Sequence, residues 1–299
     1  MKSIKNCSIH TKPSSEGFGH FRKMRSYLFI FMSLMGTAAR VLAQDNYEIQ
    51  VYASETVAKD ATMVELHSNF NFGGARKLEE GVLPTYHVLH ETIEITHGFT
   101  HWFETGIYLF NAIGAENQTS YVGSHIRPRA RIPEEWRWPV GLSLSAEIGY
   151  QKPEYSTDDW TLEIRPIIDK YFGKLYLSLN PVIERSLHGP GEHAGYTFSP
   201  DARVSYKCSK IAAWGVEYYG ALGPVNAFVP YAQQQHQLFV AVDLEWSEDW
   251  EFNAGYGVGL NAATTDALLK VIVGYRFHKS AKKGGSSILK AAGKRIHFY

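Results

Sequence analysis

Cysteine is nearly absent from this chain: 299 residues hold two, Cys7 and Cys208. Cys7 falls in the leader described below, so Cys208 stands alone afterwards and a disulfide framework is excluded. An excess of one charge is also lacking. The 30 Lys and Arg are balanced by 30 Asp and Glu, which removes the global basic footprint expected of a nucleic-acid-binding protein. After residue 46 there is no convincing helical period, and no apolar run approaches the roughly 20 residues of a membrane-spanning helix. Any insertion into a bilayer must therefore come from alternating strands.

The N-terminal leader has one informative segment. Arg22, Lys23 and Arg25 precede the apolar run "YLFIFMSLMG" (27–36), which is followed by "TAARVLAQ". A basic start, an apolar middle and small residues before Ala43 form a secretory signal peptide over 24–43, cleaved after Ala43. Residues 1–23 are polar and unrelated to it, and Met24 is a candidate translation start. The competing reading, a membrane anchor, needs a longer run. Residues 44–60 are expected to form an N-terminal periplasmic segment.

From residue 60 onward the side chains alternate, apolar and polar, with the period of two that defines a strand. In "TMVELHSNFNF" (62–72), Val64, Leu66, Phe70 and Phe72 oppose Glu65, His67, Asn69 and Asn71. "LSLSAEIGY" (142–150), "WTLEIRPIID" (160–169), "LYLSLNPVIE" (175–184) and "LLKVIVGYRF" (268–277) repeat the pattern. About twelve strands of about ten residues are predicted, a length suited to crossing a bilayer at a tilt. Their spans are 61–72, 88–99, 102–112, 121–132, 139–150, 160–170, 174–186, 196–207, 210–220, 234–245, 250–260 and 267–277. Connections alternate between long (73–87, 113–120, 151–159, 187–195, 221–233) and short (100–101, 171–173, 208–209, 246–249). An even strand count with long loops at one end and tight turns at the other predicts an all-β fold. Its form is a single antiparallel transmembrane β-barrel over 61–277, with a basic flexible tail at 278–299.

Aromatic residues agree with this arrangement. Trp102, Trp136, Trp138, Trp246 and Trp250 sit at the tight turns, and with Trp214 and Phe277 they form the candidate membrane-interface set. A secreted β-sandwich would also alternate, but its strands are usually five or six residues long. Pro128, Pro166, Pro181 and Pro200 fall inside predicted strands, where a missing N–H calls for bulges or later strand starts.

Together with the signal peptide, the segments "VELHSNFNF", "LHETIEITHGFTHWFETGIYLF", "GSHIRPRARIP", "WPVGLSLSAEIGYQ", "WTLEIRPIIDK", "LNPVIERSLHGP", "GVEYYGALGP" and the final "VGYRF" resemble Gram-negative outer-membrane β-barrels. The resemblance spans roughly residues 47–277 and is nearest to the predicted porin and transporter barrels associated with the phenol meta-cleavage degradation pathway. It implies a passive outer-membrane channel for small solutes, small organic compounds among them, with outer-membrane lipid and the assembly machinery as partners. Such barrels usually end on an aromatic residue that the assembly machinery reads, as Phe277 would be. Here a basic tail follows.

Turning the apolar faces toward lipid directs a dense set of charges inward. The candidate pore-lining residues are Glu65, His67, Glu94, Glu104, His125, Arg127, Arg129, Arg131, Glu147, Glu163, Arg165, Asp169, Glu184, Arg203, Glu217, Asp243, Lys270 and Arg276, with Asp201 on the same face. In "SHIRPRARIP" (124–133) a cation occupies every second position from His125 to Arg131. These arginines are expected either to face Glu147 across a constriction or to close the lumen with salt bridges. The second possibility is a structural or adhesive barrel with a sealed lumen.

No enzyme, cofactor or metal site is expected. An outer-membrane lipid hydrolase, the remote alternative, needs His and Ser on one outward face, but His67–Ser68 and Ser124–His125 are adjacent and point to opposite faces. His87, His90, His97 and His101 fall on different faces or on a turn and do not converge as zinc ligands must. Gly255, Gly257 and Gly259 lack the helix that a dinucleotide site requires.

Overall fold

The computed structural model describes residues 46–114 and 118–278. The signal peptide and the tail after His278 lie outside the described residues.

Strands dominate: β1 (Ala61–Asn71), β2 (Leu89–Gly98), β3 (Phe103–Ile113), β4 (Thr119–Arg131), β5 (Gly141–Gln151), β6 (Trp160–Phe172), β7 (Leu175–His188), β8 (Tyr196–Lys207), β9 (Ala212–Ala221), β10 (Gly223–Pro224), β11 (Gln235–Leu244), β12 (Trp250–Gly259) and β13 (Ala267–His278). The two-residue β10 pairs with Thr197 and Phe198 of β8, beyond the point where the β8–β9 ladder ends at Asp201. The other twelve form the wall. Each pairs antiparallel with the next, and β1 meets β13 from Ala61↔His278 to Asn71↔Leu268, so the sheet closes on itself. Closure leaves no long strand with a free edge.

The twelve expected strands are all present, and every strand end falls within two residues of its expected place. Alternation alone suffices for this because a wall with an apolar outside and a polar inside fixes each strand's face at every position.

The four prolines lie within strands, three of them at gaps in a ladder and Pro200 just past the Asp201 end of the β8–β9 ladder. Between β6 and β7 the paired positions step from Ile164↔Ile183 to Ile168↔Leu179, skipping Pro166 and Pro181. Between β4 and β5 they step from Ile126↔Ile148 to Arg129↔Ser145, skipping Pro128. Pro181 and Pro200 stand opposite each other across β7 and β8. A proline nitrogen has no hydrogen to give, so the ladder is interrupted there instead of the strand ending.

Exposed apolar side chains cover the outer wall, among them Leu66, Ile107, Ile126, Leu144, Leu179 and Val240. Trp102, Trp136, Trp138, Trp214, Trp246, Trp250 and Phe277 are all exposed and lie at or near the tight-turn end.

Residues 46–58 depart from expectation. They are not a separate segment below the barrel; they thread its interior from end to end. Asn46 accepts a hydrogen bond from Asn69 near the long-loop end of β1, and Tyr47 accepts one from Thr92 on β2. Farther along, Tyr52 bonds Asn180 on β7, Ser54 bonds Asp169 on β6, and Val57 bonds Glu104 at the tight-turn end of β3. Lys59 then bridges to Gly98, and the chain turns into β1. Partners on strands spread around a closed ring can be reached together only from inside. We call this segment the strap.

Candidate channel lumen

A lone extended segment has no neighbouring strand to satisfy its backbone, so each buried N–H and C=O needs another partner. Inward side chains of the wall fill that role. Asn180 clasps Tyr52 on both sides: its Oδ1 accepts from Tyr52 N at 2.7 Å, and its Nδ2 donates to Tyr52 O at 3.1 Å. Ser178 donates to the same carbonyl at 2.8 Å. Asp169 accepts from both Ser54 N and Ser54 Oγ at 2.7 Å and from Tyr176 at 2.9 Å. Lys270 donates to Ile49 O at 3.2 Å, and Arg129 donates to Ala53 O and Glu55 O at 3.1 and 2.8 Å. Apolar contacts hold the upper strap: Tyr47 packs with Tyr108, Phe110 and Val122, whereas Ile49 and Val51 pack with Tyr219, Phe239 and Leu268.

The inward charges assemble into three groups around the strap. On β2, β3 and β4, Arg127 Nη2 lies 2.6 Å from Glu94 Oε1 and 3.8 Å from Glu104 Oε1, and Arg129 Nη2 lies 2.6 Å from Glu104 Oε1. On β6 and β8, Arg165 forks onto both oxygens of Glu163, at 2.6 and 3.0 Å, and reaches Asp201 at 3.0 Å. Around β8, β9, β11 and β13, Arg203 pairs with Asp243 and lies 3.5 Å from Glu217, which also accepts from Lys270 at 2.5 Å. The Tyr52 ring collects the cations of two groups, with the guanidinium carbons of Arg127, Arg165 and Arg129 at 4.5, 5.2 and 5.7 Å. Cation–π contacts of this kind, away from water, contribute up to about 2 kcal/mol each.

Of the two expected arrangements for the arginine ladder, the one facing Glu147 is not seen; Arg127 and Arg129 form salt bridges instead. Glu147 pairs with His125, whose Nδ1 lies 2.5 Å from its Oε1, while Arg127 and Arg129 turn toward β2 and β3. The reason is steric as well as electrostatic: His125 spreads over Gly149 on β5 and occupies the approach to Glu147. A Cβ at Gly149 would overlap the imidazole. Gly149→Ala is therefore expected to lower stability by roughly 1–3 kcal/mol through overpacking, read from the urea midpoint in detergent micelles.

Glu65, His67, Glu94, Glu104, His125, Arg127, Arg129, Glu147, Arg165, Asp169, Asp201, Glu217 and Lys270 are buried inside the ring. Glu163, Glu184, Arg203 and Asp243 are partly buried. Arg131 and Arg276 sit at the tight-turn end and serve local structure, Arg131 reaching Glu134 at 3.1 Å and Arg276 donating to Glu248 O at 2.6 Å. The strap residues themselves, and their anchors Asn180, Ser178 and Thr92, escaped the sequence reading. "NYEIQVYA" (46–53) does carry a signal, with Tyr47, Ile49 and Val51 alternating against Glu48 and Gln50 just ahead of β1.

Comparison with solved structures finds this architecture in the COG4313 outer membrane channel from Pseudomonas putida F1. That protein is 11% identical, with a TM-score of 0.51 over 77% of this chain and 100% of that one. The chain shares the fold of an outer-membrane channel. Two further barrels align with it: the KdgM porin, with 12% identity, TM-score 0.48, 72% of this chain and 99% of that one, and the NanC porin, with 8% identity, TM-score 0.49 and the same coverages. No family model matches the sequence, and no curated protein does. At these identities the likeness is one of fold.

Proposed function

We propose that this chain is an outer-membrane β-barrel channel for the passive passage of small solutes, small organic compounds among them. The observation that carries the reading is a closed twelve-strand wall whose outside is apolar and whose inside is charged with both signs. Such a surface is stable only when lipid meets the outside and water or protein fills the inside. The exposed tryptophans and Phe277 then rest at one membrane–water interface, Phe277 is offered to the assembly machinery, and the buried charges beside the strap line the solute's path.

The alternative, a structural or adhesive barrel with a sealed lumen, draws support from the strap and its three charge groups. A lipid hydrolase is disfavoured, because His67 and His125 are buried inside while their neighbours Ser68 and Ser124 are partly exposed on the other face. Planar-bilayer recording of the purified, folded barrel decides between channel and plug. Discrete ionic currents are expected, reduced by small organic solutes that enter; a correctly folded barrel that never conducts would overturn the proposal.

A further inference from the structure

One cluster inside the barrel borders the first of the three charge groups and shares Glu94 with it. Glu65 on β1 and Glu94 on β2 are direct register partners, and both are buried in the interior. Two carboxylates placed opposite each other on one face repel, and burial away from water strengthens the repulsion. Arg127 and Thr96 both bond Oε1 of Glu94, at 2.6 and 2.7 Å, which leaves Oε2 turned toward His67. Nε2 of His67 lies 3.4 Å from that oxygen. That contact is long for a hydrogen bond, and His67 Nδ1 has no hydrogen-bond partner at all, although the two side chains are only 0% and 1% exposed. A fully buried imidazole with one idle nitrogen and one long contact is a costly arrangement unless something else engages it.

Geometry indicates what that is. One donor atom from each of Glu65, His67 and Glu94 lies within 4.8 Å of the other two. Room for them comes from Gly274 on β13, the register partner of Glu65, where a Cβ would crowd Met63 and come within 2.9 Å of Glu65 Cγ. Glu251 begins on the far side of the same glycine, 3.5 Å from that position, which adds to the local negative charge.

We propose that Glu65, His67 and Glu94 form a divalent transition-metal site of the Zn2+ type, joining β1 to β2 inside the barrel. One imidazole nitrogen and two carboxylate oxygens are a donor set that suits zinc. Ligands at zinc distances stand about 3.3 Å apart around a tetrahedron, so the three side chains need close only slightly, within the reach of glutamate torsions. Three protein ligands leave a fourth position for water. Arg127 and Thr96, on the other oxygen of Glu94, hold that carboxylate in place as outer partners of metal ligands do. The divalent charge offsets the surplus of carboxylates. The inference is independent of the channel reading, since a barrel that never conducts could still bind the metal.

The test uses the purified, folded full chain in detergent, loaded with Zn2+ or Co2+ and freed of excess metal by gel filtration. About one equivalent retained per chain is expected, with the visible absorption of four-coordinate Co2+. Glu65→Gln and His67→Gln should each weaken retention by roughly a hundredfold or more, since even the outer partners of metal ligands contribute 10–100-fold. His193→Gln, in the exposed loop after β7, should leave retention unchanged. If a single proton shared by Glu65 and Glu94 relieves their repulsion instead, the wild-type chain will keep no metal and the absorption of four-coordinate Co2+ will not develop, and the proposal fails. It fails equally if Glu65→Gln retains zinc as the wild type does; that variant decides the matter even should His67→Gln not fold.

Discussion

Arg127→Ala is expected to cost the barrel roughly 3–5 kcal/mol of unfolding free energy, the usual consequence of removing one member of a buried ion pair. The guanidinium is 2% exposed and sits 2.6 Å from Glu94 Oε1, with the rings of Tyr52 and Tyr108 at 4.5 and 5.2 Å. Truncation leaves Glu94 buried opposite Glu65 with its compensating charge gone, and it removes the closest cation from Tyr52. The damage therefore reaches both the wall and the strap. Arg127→Lys retains the charge but not the planar stacking, and should fall between wild type and alanine. Urea unfolding in micelles, followed by tryptophan fluorescence, measures the series. A loss under about 1 kcal/mol, the range of exposed pairs, would mean that water reaches this level of the lumen freely and that the pair is solvated.

Excising residues 46–56 should raise flux while also weakening the fold. The strap buries Tyr47, Ile49 and Val51 against two apolar clusters, and each such side chain is worth roughly 1.5–3 kcal/mol. The wall ladders involve none of these residues, so the ring is expected to form at reduced stability. Asn180, Asp169, Arg129 and Lys270 then lose their strap partners and must be hydrated, which draws water into the volume the strap occupied. Single-channel currents of the shortened chain should be larger than those of the full one at every voltage. Equal currents would show that ions already pass by a route the strap does not obstruct.

The wall was legible in the sequence because one rule governs it everywhere. Leu66 and His67, or Ile126 and Arg127, are assigned to opposite faces by parity alone, and a one-residue slip would turn every charge toward the apolar side. Even the prolines, which argued against some of these strands, altered the ladders and not the spans. Pairing inside the ring was not legible. Parity says that Arg127, Arg129 and Glu147 share an interior, but it does not say that His125 lies over Gly149 and takes Glu147 for itself. The strap was missed for a related reason. Its short alternation from Tyr47 to Val51 looks like the lead-in to β1 and does not say that the segment turns inside the ring, and its anchors Asn180 and Asp169 look like any other polar residue on an inward face. Likewise, Glu65, His67 and Glu94 belong to two strands whose register only the hairpin between them sets.

The hydrogen bond from Lys270 to Ile49 joins residues 221 positions apart in sequence. Ile49 precedes the first wall strand and Lys270 belongs to the last, the two strands whose pairing closes the ring. The central segment can therefore be fastened on that side only when the final strand arrives, and the same event that seals the barrel encloses it. Contacts of such long span are entropically late. Until then the earliest part of the described chain has to wait, held by Asn180 and Asp169 if at all, within an open curved sheet. Closing the seam and trapping the strap are thus one step of assembly, and a chain ending before β13 could complete neither.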